Sequence, residues 1–89
     1  MVKVRFFGSS DCRDCMDLFV TLNKAQVEYE YIDTLDMSDE VQAFCDEHKV
    51  DLLPHVQFLD VEGKIVIEHV GPLDENRFIK YLMDYFPQY

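Results

Sequence analysis

Between Val2 and Asp33 the hydrophobic period changes twice, and that change restricts the fold more than any other feature of the chain. "VKVRFF" (2–7) sets Val2, Val4 and Phe6 against Lys3 and Arg5, the alternation of a half-buried strand. Gly8, Ser9 and Ser10 break the alternation. From about Cys12 to Lys24 the apolar residues recur at helical spacing: Cys15, Leu18, Phe19, Leu22 and Ala25. Asp11 is placed to cap this helix, with Asp14 three residues on. Arg13, Asp14, Asp17, Thr21 and Lys24 then fall on the wet side. "VEYEYID" (27–33) returns to a period of two, and its Glu28 and Glu30 on one face suit an edge strand.

The second half repeats the alternation of types once and then departs from it. Ser38 caps a second helix that runs to about His48, with Val41, Phe44 and Cys45 inward. "DLLP" is a loop that ends in Pro54. "HVQFLD" (55–60) and "KIVIEH" (64–69) are spaced as a hairpin, with Gly63 in the left-handed position. Gly71-Pro72 breaks the chain again, and a last helix over 74–86 turns Phe78, Ile79, Leu82 and Phe86 inward. Tyr81, Tyr85 and Tyr89 lie at helical spacing and read as partly buried packing. The order is β-α-β-α-β-β-α. Strands separated by helices pair in parallel through right-handed crossovers, and the last two pair antiparallel. The expected fold is α/β, a four-stranded mixed sheet with helices on both faces. No repeat, linker or low-complexity segment divides residues 1–89, which read as a single domain.

Composition narrows the partners. The 89 residues carry a formal charge of −10, which argues against nucleic acid and against an anionic membrane, since both select clustered Lys and Arg. The N-terminus enters a strand pattern without an apolar leader, and no apolar run reaches the length of a membrane span, so the expected location is the cytoplasm. The odd count of three cysteines argues against a structural disulfide framework. A monomer is the default expectation.

The chemistry concentrates in "SSDCRDCMDLF" (9–19). Cys12-Arg13-Asp14-Cys15 follows a strand and opens a helix, and Pro54 stands just ahead of another strand. With the element order, these residues resemble the thioredoxin and glutaredoxin superfamily over nearly the whole chain. The length is similar to that of a glutaredoxin, whereas "VDLLPHVQF", "EGK" and the lone Gly71 look more like thioredoxin. Leu52-Leu53 before Pro54 and Gly71-Pro72 depart from the glutathione-binding pattern of glutaredoxins. Arg13-Asp14 matches neither subfamily's usual pair, and the buried acid of thioredoxin has no counterpart in Val4-Arg5-Phe6.

The resemblance implies the thioredoxin fold and a dithiol cycle. Cys12 at a helix N-terminus would be the nucleophile, because free N–H groups and the macrodipole favour its thiolate. Cys15, one turn further in, would resolve the mixed disulfide. Pro54 would be cis and face the cysteine pair, Leu53 would offer its backbone to the substrate, and Gly71 would complete the groove. Arg13 and Asp14 would tune it, and His55 would reach substrate. A carboxylate about 6 Å from the thiolate opposes it by roughly 0.7–2.8 kcal/mol, against the helix terminus and Arg13. The expected poise is therefore that of a reductant. No cofactor or metal is implied, and electrons would come from glutathione or a flavoprotein reductase.

Other readings keep the same residues. A redox-silent binding module would retain the fold without the cycle. A zinc module would use Cys12, Cys15, Cys45 and His48 as a Cys₃His set. Helices on opposite faces of the sheet weigh against it, leaving Cys45 as a core filler. An iron–sulfur scaffold bridging two copies is weakened by the missing glutathione features.

Overall fold

The computed structural model describes residues 2–87. Seven elements follow in the order β1 (Lys3–Gly8), α1 (Arg13–Ala25), β2 (Glu28–Asp33), α2 (Asp39–Glu47), β3 (His55–Leu59), β4 (Ile65–Val70) and α3 (Glu75–Tyr85). They form one four-stranded sheet in the order β2-β1-β3-β4. β1 runs parallel to β2 and antiparallel to β3, and β3 is antiparallel to β4. The expected mixed sheet is borne out, with β2 at an edge.

Alternation along the strands sorts residues onto two faces. Val4, Phe6, Val56 and Phe58 point to one side, where they meet Cys15, Leu18 and Leu22 of α1 and Phe78 and Leu82 of α3. Phe7 points to the other side, against Phe44 and His48 at ring separations of 5.6 and 5.8 Å. Helices therefore cover both faces. β3 lies between β1 and β4, and all five of its residues are buried.

The helix ends follow from local chemistry. Ser38 Oγ accepts from the Val41 N–H and Asp74 Oδ1 from the Arg77 N–H, as side-chain caps do. Gln26 closes α1 in the left-handed conformation at φ 57°. Gly63 takes φ 84° in the β3–β4 turn, as its spacing required. Asp60 Oδ1 supports that turn by accepting from the N–H groups of Glu62 and Lys64.

Three expectations are corrected. Asp11 does not cap α1; Cys12 does, one residue later, its sulfur accepting from the Cys15 N–H. α2 buries none of its residues fully: Val41, Phe44 and Cys45 are only half-buried, because this short helix rests on a partly polar sheet face. Ile79 is 42% exposed, since Phe78 and Leu82 already fill the contact of α3 with the core. α2 ends at Glu47 with His48 as its cap, as expected. Tyr81 packs as expected on Phe58, at 5.3 Å between rings. Tyr89 lies outside the described residues.

Candidate functional site

The turn between β1 and α1 delivers the two cysteines to different environments. The Cys12 N–H donates to Ser9 O, and its sulfur sits at the N-cap, half-buried. Cys15 is one turn further on and has no exposed surface. The two are joined as a disulfide with Cα atoms 5.2 Å apart. Asp11, Arg13 and Asp14 are all exposed around Cys12, so water screens their charges.

Two distant segments close on this end of the sheet. The Leu53–Pro54 bond is cis, as the resemblance implied. Pro54 is fully buried, and Leu53 packs, like Cys12, against the buried cluster that contains Cys15. The Gly71 N–H donates to Pro54 O at 2.9 Å, so the β4–α3 turn is tied to the loop before β3. Gly71 adopts φ 99°, a conformation that side chains disfavour.

Solved structures share this fold. A malarial protein superposes with a TM-score of 0.79 at 16% identity, over 97% of this chain and 98% of its own. A mutant thioredoxin from Halobacterium salinarum gives a TM-score of 0.77 at 24% identity, over 94% of this chain and 74% of its own. Thioredoxin 1 from Thermosipho africanus gives 0.72 at 17% identity, over 96% and 94%. The chain has the thioredoxin fold. No family model and no curated protein sequence matches it.

Within the thioredoxin fold the remaining candidates separate. Cys12, Cys15, Leu53, Pro54 and Gly71 lie at one end of the sheet. Arg13 and Asp14 flank the pair on the solvent side of α1. His55 does not point there. It is buried on the α2 face, its ring 5.6 Å from that of Phe7 and its Nε2 2.5 Å from Glu68 Oε2. Cys45 belongs to α2 and lines a shallow cavity with Thr34, Gln42, Asp46, Val50, Asp51 and Leu53. Burial and the Asp46 carboxylate push its thiol pKa up. Being only half-buried, it is not the core filler expected. Among the described residues no group of three or more His, Cys, Asp or Glu side chains is placed to hold a metal ion. No helix among them is long and apolar enough to cross a membrane.

Two features escaped the sequence reading. The first is Gly8, which belongs to β1 and does not break it. A Cβ there would lie 2.9 Å from Cys15 Sγ and 3.2 Å from Tyr31 Cε1. A glycine inside a strand pattern, which marks a close approach, was the available signal. The second is a polar row across the α2 face. Glu30, Arg5, Gln57 and Glu68 are direct partners in the strand registers. Arg5 donates to Glu30 Oε1 at 3.0 Å and to Gln57 Oε1 at 3.2 Å. Gln57 Nε2 lies 3.1 Å from His48 Nδ1 and donates to Glu68 Oε2 at 3.4 Å. The hydrogen bond to His55 is the main cause that holds the Glu68 carboxyl below its ordinary range.

Proposed function

We propose that this protein is a dithiol–disulfide oxidoreductase that reduces protein disulfides, a small electron carrier built as one domain. The observation that carries the reading is the unequal Cys12–Cys15 pair: one sulfur half-buried at a helix N-terminus, the other fully shielded behind it. In the reduced protein, the Cys12 thiolate attacks one sulfur of the substrate disulfide. A mixed disulfide forms and the other substrate sulfur leaves as thiolate. Cys15, deprotonated, then attacks Cys12 Sγ. The Cys12–Cys15 bond forms and the second substrate thiolate leaves. Two electrons pass to the substrate, and the two protons of the protein thiols go with them through water.

The helix N-terminus favours the attacking thiolate, through its N–H groups and its macrodipole. Burial of Cys15 keeps the resolving sulfur from foreign disulfides. Leu53 and Pro54 offer backbone beside the pair to an extended substrate segment, with Gly71 holding Pro54 from behind. Arg13 and Asp14 contact the substrate rim. The aspartates withhold extra stabilisation from the thiolate, so the protein is poised as a reductant. It works as a cytoplasmic monomer and is recharged by glutathione or by a flavoprotein reductase.

Equilibration in glutathione buffers with mass-based thiol counting tests this. The expected result is a reversible two-electron couple at low potential, lost on Cys12→Ser or Cys15→Ser. A protein that never cycles would instead be a redox-silent binding module on the same fold. A potential near that of the oxidising members of the superfamily would remove the reductant assignment.

A further inference from the structure

Gly8 is buried at the end of β1, and its φ is not positive. The backbone there asks for no special conformational freedom. What the position requires is space. A Cβ built on Gly8 would stand 2.9 Å from Cys15 Sγ, 3.1 Å from Cys15 Cβ and 3.2 Å from Tyr31 Cε1. The strand cannot back away to make room. Gly8 O accepts from both the Thr34 N–H at 2.9 Å and Thr34 Oγ1 at 3.1 Å. Gly8 also stands opposite Asp33 in the parallel register with β2. On its other side the Cys15 sulfur is bonded to Cys12.

From this packing we infer that Gly8 is a positioning residue for the redox couple. Its missing side chain is the space in which the Cys15 sulfur sits when it is bonded to Cys12. The inference rests on the dithiol reading above. In the disulfide, Cys15 Sγ is tied within bonding distance of Cys12 and pressed against the β1 backbone. In the dithiol that tie is gone, and the bond to Cys12 no longer fixes where the Cys15 sulfur sits. A methyl group at position 8 therefore crowds the disulfide more than the dithiol. The couple concerned is two protein thiols plus oxidised glutathione against the protein disulfide plus two reduced glutathiones. A Cβ at Gly8 opposes the direction that closes the protein disulfide.

The test is Gly8→Ala, with its potential and its stability measured in both redox states. Equilibration against glutathione should show the protein disulfide disfavoured about tenfold or more, a shift of about +30 mV or more. Thermal melting should fall further for the oxidised than for the reduced variant. An equal fall in both forms with an unchanged potential would reduce Gly8 to ordinary packing and overturn the inference. Absence of any reversible couple in the unaltered protein would instead remove the dithiol reading on which it stands. If Gly8→Ala folds too poorly to titrate, the same substitution in a Cys15→Ala background decides the matter. There the sulfur is absent, and Gly8→Ala should fold and cost visibly less than in the oxidised protein. An equal cost in both backgrounds would place the crowding on the Cβ of residue 15 and on Tyr31, not on the sulfur, and refute the role.

Discussion

Phe6 and Phe7 are neighbours in sequence, equally buried, and belong to two differently built halves of the molecule. Phe6 points into the layer under α1 and α3. It packs on Phe19 and Tyr31 at 5.0 Å each, within a cluster that is apolar and closed around Cys15. Phe7 points under α2, where its neighbours include His48 and His55, and where the next row of the sheet is Glu30, Arg5, Gln57 and Glu68. Every polar atom in that second layer has to be matched, and among the described residues no buried side-chain nitrogen or oxygen lacks a partner. The contrast assigns two duties. The apolar layer supplies stability and encloses the Cys15 sulfur. The polar layer supplies register, since its bonds are made only when four strands are aligned.

The sharpest way to break this contrast is to empty each layer in turn. Phe6→Ala should cost about 3–5 kcal/mol, the range for truncating a buried Phe. That is a large share of the roughly 5–15 kcal/mol that holds a typical domain together. Gln57→Leu keeps bulk but removes one partner each from Arg5, His48 and Glu68, and should cost about 1–3 kcal/mol. Urea unfolding of both variants reads the difference. A Gln57→Leu protein as stable as the original would mean that the polar row adds nothing which packing cannot replace.

Acid titration sharpens the same point with a smaller effect. Glu68 has its pKa lowered in the folded state, first by the hydrogen bond from His55. A carboxyl whose pKa falls on folding stabilises the protein above its unfolded pKa, and that contribution is lost as pH falls through the folded value. The stability curve should therefore weaken below the ordinary carboxylate value of 4.5. Glu68→Gln should flatten that limb. The Glu68 side chain is 42% exposed, so solvent screening keeps the effect under about 1 kcal/mol. An unchanged acid limb in Glu68→Gln would show that the His55 contact is not coupled to folding.

The two layers were not equally legible in the sequence. The apolar layer was legible because its pattern is local: Cys15, Leu18 and Leu22 repeat along one helix, and Val4 and Phe6 alternate along one strand. The cysteine pair was legible because strand, turn and helix around it are set by neighbouring residues, whereas the place of Pro54 at the site came from the resemblance to the thioredoxin and glutaredoxin superfamily. The polar row was not, because Arg5, Gln57 and Glu68 meet only through strand register across 52 and 11 residues of chain. His55 was misread for the same reason: its burial comes from Phe7 and Glu68, each on another strand. The cap at Cys12 was misplaced by one residue, since Asp11 is the better cap by type and only the turn from Ser9 shows that sulfur takes the place.

If the apolar layer rests on burial, the charges that span its surface should matter least. Lys24 Nζ of α1 and Glu75 Oε2 of α3 lie 3.4 Å apart and form an ion pair between these two helices. Both side chains are about half or more exposed, at 66% and 49%. Water and salt screen such a pair, and two long side chains lose freedom to make it, so exposed pairs are typically worth about 0.2–1 kcal/mol. A double-mutant cycle with Lys24→Ala and Glu75→Ala should give a coupling at or below about 0.5 kcal/mol, falling further in added salt. The helix N-cap complicates only one arm: Glu75 follows the cap residue Asp74 and also favours the positive end of α3, so its single variant should lose slightly more than that of Lys24. A coupling well above 1 kcal/mol would mean that α3 is held to α1 by charge as well as by Phe78 and Leu82. The two layers would then differ less in kind than their interiors do.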